Sequence, residues 1–200
     1  MAKRKVGNPL ALAVLALLVE GPTHPYDMAR TLKYRHKEES IKLNYGSLYT
    51  VVEQLVRAGF VVAGDPVREA ARPERTVYSL TEAGRAELYD WMSELVSTPN
   101  KEYRDFEAAL ALMGVFTPEE GERLLALRLE RIVASTGRQR AEMDAHLAGG
   151  LHPLFLVEAE YRLALDLAEQ RFVEGLLQAI RTDPDFVAPW RAFHQPGGEP

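Results

Sequence analysis

The apolar positions of this chain change register several times, and each change marks an element. Leu10 to Val19 is apolar throughout. It follows Lys3, Arg4 and Lys5 and is stopped by Glu20-Gly21-Pro22. It is too short to span a bilayer, and Glu20-Gly21-Pro22 is a poor cleavage site, so it reads as a buried first helix. Asn8 suits the N-cap and Pro9 the first helical position. A second helix starts near Thr23 or His24, with Pro25 early and Met28, Ala29 and Leu32 facing a core. Tyr34 to Ser40 is polar and reads as exposed. After Asn44, another capping residue, Leu48, Val51, Val52, Leu55 and Val56 recur at i, i+3, i+4, i+7 and i+8, which is one buried helical face. Gly59 fits the left-handed position past the helix end. Phe60 to Ala63 and Thr76 to Leu80 then read as short strands. The second alternates, with Val77 and Ser79 on one face and Tyr78 and Leu80 on the other.

Thr81 caps a further helix, in which Ala83, Leu88, Trp91, Met92 and Leu95 form an apolar stripe. Thr98-Pro99-Asn100 breaks it and marks a domain boundary. The remainder reads as helical. Tyr103 to Phe116 is a short apolar helix. Thr117-Pro118-Glu119-Glu120 combines an N-cap, a first-turn proline and a capping-box acid. It opens a helix to about Leu147, roughly 45 Å long. Leu125, Leu129, Ile132, Thr136, Gln139, Met143 and Leu147 form a seam with a polar middle. Gly149-Gly150 turns the chain. From Pro153 to about Arg181 a second long helix carries Leu154, Tyr161, Leu165, Ala168, Phe172, Leu176 and Ile180, and the two should pair antiparallel. Leu124, Leu127, Leu163 and Leu167 leave a second apolar face. A second copy would cover it; the alternative is cover by the chain's own shorter helices. Asp183 to Pro200 reads as a loosely ordered tail.

The expected fold class is therefore mainly α. An N-terminal winged helix-turn-helix with a small two-stranded wing occupies residues 1–98. A C-terminal all-helical antiparallel dimerisation domain follows at 99–182, then a tail at 183–200.

Composition narrows the function. The chain has 46% hydrophobic and 26% charged residues, ordinary for a globular protein, and no cysteine, which excludes disulfides, thiolate chemistry and zinc fingers. The net charge of −5 argues at first against a nucleic-acid partner, but it is unevenly placed. Residues 1–80 hold 12 Lys and Arg against 8 Asp and Glu, whereas 81–200 hold 12 against 21. A basic module joined to an acidic one fits phosphate attraction at the N-terminal end. No membrane span is expected, and the cytoplasm is the expected compartment.

In a winged helix the helix after Asn44 enters the major groove and the hairpin tip follows the neighbouring backbone. Asn44, Tyr45, Ser47, Tyr49, Thr50 and Gln54 are the candidate DNA-facing residues on that helix. The hydroxyls can donate to phosphates or bases, the Thr50 methyl can meet a thymine methyl, and Gln54 can pair with adenine. Glu53 either accepts from a cytosine amine or points to water. Lys42 and the wing residues Arg68, Arg72 and Arg75 are phosphate or minor-groove candidates, as are Lys3, Arg4 and Lys5; such contacts fix position rather than sequence. Each also fits a solvated loop charge. An enzyme is disfavoured: there is no Gly-rich phosphate loop and no nucleophile elbow. The five histidines lack ligand spacing, and His24 and His152 each precede Pro at a turn, where capping is the simpler role. No metal or cofactor is expected. The remaining alternative is a dimeric adaptor that uses the winged helix for protein contacts.

Three stretches, THPYDMARTL, LNYGSLYTVVEQLVRAGFV and RPERTVYSLTEAG, together resemble the PadR family of bacterial transcriptional regulators. YRDFEAALAL and LFLVEAEYRLALDLAEQ resemble the helical C-terminal domain of its longer members. The resemblance covers about residues 8 to 181. It departs from the family pattern at Pro25, at Tyr45 and in a less basic wing. It implies a homodimeric repressor, with one winged helix on each half of an imperfect palindromic operator. Some members bind flat aromatic effectors near a tryptophan. By that loose resemblance Tyr89, Trp91 and Met92 are the candidate effector residues here, although aromatic residues at helical spacing also fit a core.

Overall fold

A computed structural model describes residues 4–64 and 76–194, apart from the side chain of Tyr45. The chain divides into two compact units, Met1–Lys101 and Glu102–Pro200.

The first unit is built around α1 (Pro9–Glu20). Asn8 accepts the Leu10 amide at 2.9 Å, and Leu10, Ala11, Val14 and Leu15 are almost wholly buried. A helix apolar on all sides must lie at the centre of its unit, and this one does. Packed around it are α2 (Pro25–Tyr34), α3 (Tyr45–Arg57) and α4 (Glu82–Ser97). A short 3-10 turn (Lys37–Glu39) links α2 to α3. In α3 the expected face is the buried one: Leu48, Val51, Val52 and Leu55 are at most 3% exposed. The helix ends in a Schellman arrangement. The Phe60 amide donates to the Leu55 carbonyl and the Gly59 amide to Val56, with Gly59 at φ 80°.

Strands β1 (Val61–Ala63) and β2 (Tyr78–Leu80) pair antiparallel, with Val61 opposite Leu80 and Ala63 opposite Tyr78. Both are shorter than expected. A third segment joins them that the sequence pattern did not predict. Thr23 and Tyr78 exchange amide–carbonyl hydrogen bonds of 3.1 and 3.0 Å, so the chain entering α2 is stitched to the wing strand. The stripe on α4 is also rotated from expectation. Gly84, Leu88 and Trp91 face the core, while Ala83, Met92 and Leu95 are exposed. Close approach at Gly84 sets this rotation, as a Cβ there would lie 2.0 Å from the Phe60 carbonyl oxygen.

The second unit opens with α5 (Asp105–Ala111) and a 3-10 turn (Met113–Val115). Thr117 then caps α6 (Pro118–Ala148), accepting the Glu120 amide at 3.3 Å. After Gly149 and Gly150, the latter at φ 85°, a 3-10 turn (Pro153–Leu156) leads into α7 (Val157–Thr182). The two long helices pair antiparallel, held by Glu122 to Arg181, Arg128 to Glu169 and Gln139 to Asp166.

Two expectations are corrected in this unit. On α7 the packed residues are Val173, Leu177 and Ile180, whereas Tyr161, Ala168 and Phe172 are exposed. The contact face continues through Glu169 and Asp166, whose partners on α6 satisfy them, so its polar members hide it from a search for apolar periodicity. The expected loose tail is a helix over most of its described length, α8 (Pro184–Phe193). Asp183 accepts the Asp185 and Phe186 amides, Val187 is buried, and the Trp190 indole donates to the Phe116 carbonyl at 2.7 Å. A capped helix with an apolar anchor is enough to dock the segment. Residues 195–200 lie outside the described residues.

Candidate nucleic-acid interface

The exposed face of α3 is presented by a rigid frame. Its opposite face is clamped under α1 and α2 by four buried aliphatic side chains, and its start is fixed by Asn44. Asn44 is exposed, and its Oδ1 accepts the Gly46 amide at 2.9 Å. That bond assigns Asn44 first to capping; its amide NH2 and the second lone pair of Oδ1 remain for DNA. Tyr45 is the first helical residue. Ser47, Tyr49, Thr50 and Gln54 are all exposed on the helix. Ser47, Thr50 and Gln54 stack along one side, being three and four positions apart, and Tyr49 lies beyond Thr50, on the far side from Ser47 and Gln54.

Local bonds limit what each can read. The Thr50 hydroxyl donates to the Gly46 carbonyl at 3.1 Å, which leaves its methyl and an oxygen lone pair for a base. The Tyr49 ring stands edge-on to His24, centroids 6.4 Å apart, and remains 44% exposed. His24 in turn caps α2, its Nδ1 accepting the Tyr26 amide at 3.1 Å. His152 caps the 3-10 turn before α7 in the same way, at 3.2 Å to the Leu154 amide. Glu53, for which cytosine and water were the alternatives, is ion-paired with Arg57 at 3.2 Å. An exposed i,i+4 pair is weak, but it offsets the charge an acid would otherwise turn toward phosphate. Lys42 is exposed two residues before the cap. Arg68, Arg72 and Arg75 lie outside the described residues, as does Lys3.

The N-terminal arm has a different role from the one its charge suggested. Arg4 points into the unit, its side chain 8% exposed, and donates to Glu87, Asp90 and Glu94 of α4. Burial works against its charge, and the three carboxylates more than restore it, raising the guanidinium pKa. Lys5 is exposed, with Nζ 5.6 Å from the Phe60 ring centroid. Arg4 was missed as a structural residue although a signal existed. Glu87, Asp90 and Glu94 fall at i, i+3 and i+7, one acidic face beside Trp91. At the outer end of α1, Arg35 hydrogen-bonds Glu20 and holds its carboxyl below the usual carboxylate range.

The three candidate effector residues do not share one surface. Trp91 is buried in the core beneath Arg4, whereas Tyr89 is 78% exposed and Met92 is exposed beside it. Among the described residues no cluster of His, Asp or Glu could hold a metal ion, and no helix is long and apolar enough to cross a membrane.

Comparison with known proteins places this geometry in context. The transcriptional regulator PadR-like family matches residues 14–90, a span inside the first unit. No curated protein sequence matches the chain. The crystal structure of Bacillus subtilis PadR in complex with operator DNA is similar at 20% identity and a TM-score of 0.66, covering 86% of this chain and 99% of that one. The same protein in complex with p-coumaric acid is similar at 21% identity and a TM-score of 0.65, covering 86% and 98%. The Vibrio cholerae virulence activator AphA is similar at 20% identity and a TM-score of 0.63, covering 86% and 97%. At these identities the structural likeness is one of fold. Residues 14–90, from α1 into α4, thus match the PadR-like family of transcriptional regulators, and the fold over most of the chain is that of PadR.

Proposed function

We propose that this protein is a homodimeric repressor that binds an imperfect palindromic operator in the cytoplasm, with no enzymatic role. Residues 1–98 serve as the DNA-binding domain and 99–182 as the dimerisation domain. The observation that carries the reading is the exposed face of α3, with Ser47, Tyr49, Thr50 and Gln54 on a helix whose other face is locked in the core. A recognition helix must be held this way, because base-edge hydrogen bonds tolerate little misplacement. Lys42 and the wing arginines Arg68, Arg72 and Arg75 supply phosphate contacts in this reading. The complex of a similar fold, Bacillus subtilis PadR, with operator DNA supports it. That relative's complex with p-coumaric acid supports release by a small organic effector. Such release requires a ligand that binds the DNA-free geometry more tightly than the DNA-bound one.

The second unit supports the dimer. Tyr161, Leu165, Ala168 and Phe172 fall at i, i+4, i+7 and i+11 on α7, and Tyr161 and Phe172 are 65% and 52% exposed. An exposed apolar stripe along a long helix suits a second copy. Phe172→Glu should yield a monomer by light scattering, and an unchanged dimer would place the interface elsewhere.

The deciding experiment is a mobility shift on DNA flanking the protein's own gene, at low and near-physiological salt with unrelated competitor. A discrete complex that survives competitor is expected, with two footprinted half-sites about one helical turn or a multiple apart. Thr50→Ala and Gln54→Ala should each cost about 1–3 kcal/mol on that site and little on random DNA. Complete absence of DNA retention at low salt would move the reading to a dimeric protein-contact adaptor.

A further inference from the structure

We infer that His24 is a positioning residue for DNA binding, its imidazole holding the Tyr49 ring so that the phenol meets a backbone phosphate at the edge of the major groove. The inference rests on the DNA-binding part of the proposed function and adds to it a residue outside the recognition helix. His24 stands at the junction of three elements. The residue before it is fixed to the wing, since Thr23 and Tyr78 exchange backbone hydrogen bonds of 3.1 and 3.0 Å. The residue after it, Pro25, is fully buried at the first position of α2. The ring itself is oriented by the Tyr26 amide, which donates to Nδ1 at 3.1 Å.

So held, the imidazole lies against the Tyr49 ring at 6.4 Å between centroids and 74° between planes, an edge-to-face contact inside the usual aromatic range of roughly 4.5–7 Å. This is more than a cap requires. Asn8, Asn44 and Thr81 cap helices of the same unit without a ring. A ring at the cap adds a surface, and what it meets is an exposed side of the candidate recognition helix.

Tyr49 differs from the other exposed residues of α3. At about 100° per residue it lies on the opposite flank of the helix from Ser47 and Gln54, toward the start of α2. A helix with its side chains is about 10–12 Å across, and the major groove is about 12 Å wide. A helix seated there has base edges ahead of it and phosphates along its flanks. In helix-turn-helix docking the preceding helix crosses the backbone, so the α2 side of α3 faces phosphate. Tyr49 is 44% exposed, and its phenol is a donor on a rigid ring, suited to a phosphate oxygen. A side chain ordered before binding has less rotamer entropy to lose on contact. His24 supplies that order.

The test is fluorescence anisotropy of the full-length protein on two labelled duplexes of equal length, the fragment footprinted beside its own gene and a random sequence. Tyr49→Phe should weaken both by the same factor, about three- to tenfold, because a phosphate contact carries no sequence. His24→Asn keeps a capping acceptor and removes the ring. It should lower affinity about threefold on both duplexes at an unchanged thermal midpoint, and should have no effect once Tyr49 is Phe. His24→Phe does the reverse, supplying a ring without a cap. Its affinity should lie closer to the parent's than that of His24→Asn, while its thermal midpoint falls. A His24→Asn loss that persists in the Tyr49→Phe background, or affinities of the two His24 variants that follow their thermal midpoints, overturns the assignment. So does a Tyr49→Phe loss that is absent or confined to the footprinted duplex. Those failures leave the DNA-binding reading standing. A parent that retains neither duplex at low salt removes that reading, and this assignment with it.

Discussion

The guanidinium carbon of Arg4 lies 5.3 Å from the centroid of the Trp91 ring, while its nitrogens donate to Glu87 and Asp90 at 2.9 and 3.0 Å. One residue of a basic leader thus ties three acids of α4 over a buried indole. Removing it leaves those acids repelling one another and uncovers the ring. Arg4→Ala should therefore destabilise the first unit by about 2 kcal/mol, combining cation–π and charge-assisted terms. Arg4→Lys should recover part of the loss, because it keeps the charge but not the fork. Denaturant unfolding followed by Trp fluorescence reads both. A loss within error for Arg4→Ala would mean the clamp contributes nothing.

Two glycines separate tight packing from free helix surface. A Cβ on Gly84 would meet the Phe60 carbonyl oxygen at 2.0 Å, a backbone atom with nowhere to move. Gly84→Ala should cost more than about 2 kcal/mol and loosen the junction of wing and α4. At Gly137, in the middle of α6, a Cβ meets nothing within 4 Å. Gly137→Ala should instead stabilise by about 0.5–1 kcal/mol, through helix propensity alone. Thermal melts of the two variants should shift in opposite directions.

Asn44 allows capping and DNA contact to be measured apart. Asn44→Ala removes the acceptor for the Gly46 amide and should cost about 1 kcal/mol of stability. Asn44→Asp retains the acceptor and adds a charge that suits a helix N-terminus, so stability should hold. The same charge would face phosphate, so operator affinity should fall and fall most at low salt. Equal operator affinity for Asn44→Asp and the parent would remove Asn44 from the interface.

The Glu20–Arg35 pair makes a small contribution whose sign with pH is set by the Glu20 carboxyl. Its folded pKa is depressed, chiefly by the Arg35 hydrogen bond. The unfolded chain therefore takes up the proton first as pH falls. The stabilisation is complete above the unfolded carboxylate value of about 4.3, and it is lost as pH drops through the lower folded value. Both side chains are about half exposed, so the effect is modest and weaker in salt. Arg35→Ala should be slightly less stable than the parent at neutral pH, and the gap should close under acid. A gap that persists at pH 2 would assign the loss to packing instead.

Local rules made much of this protein legible in advance. Asn8, Asn44, Thr81 and Thr117 are N-caps as their positions predict, and Gly59 ends α3 in the left-handed conformation. The continuous apolar run of α1 and the period of α3 determined which residues form the first core. These features depend on a few neighbouring residues, and backbone hydrogen bonding and burial enforce them wherever they occur.

What only the tertiary structure decided lies where distant residues meet. The rotation of α4 follows from the approach of Gly84 to Phe60, 24 positions away. The inward turn of Arg4 needs three acids more than 80 positions distant. The packed face of α7 runs through Asp166 and Glu169 because Gln139 and Arg128 sit opposite them on α6. A polar residue reads as solvated until its partner is known, since pairing is what makes burial of its charge tolerable. For the same reason the exposed residues of α3 could be chosen from periodicity alone. The internal bonds that limit Thr50, Glu53 and Asn44 could be assigned only in the folded chain.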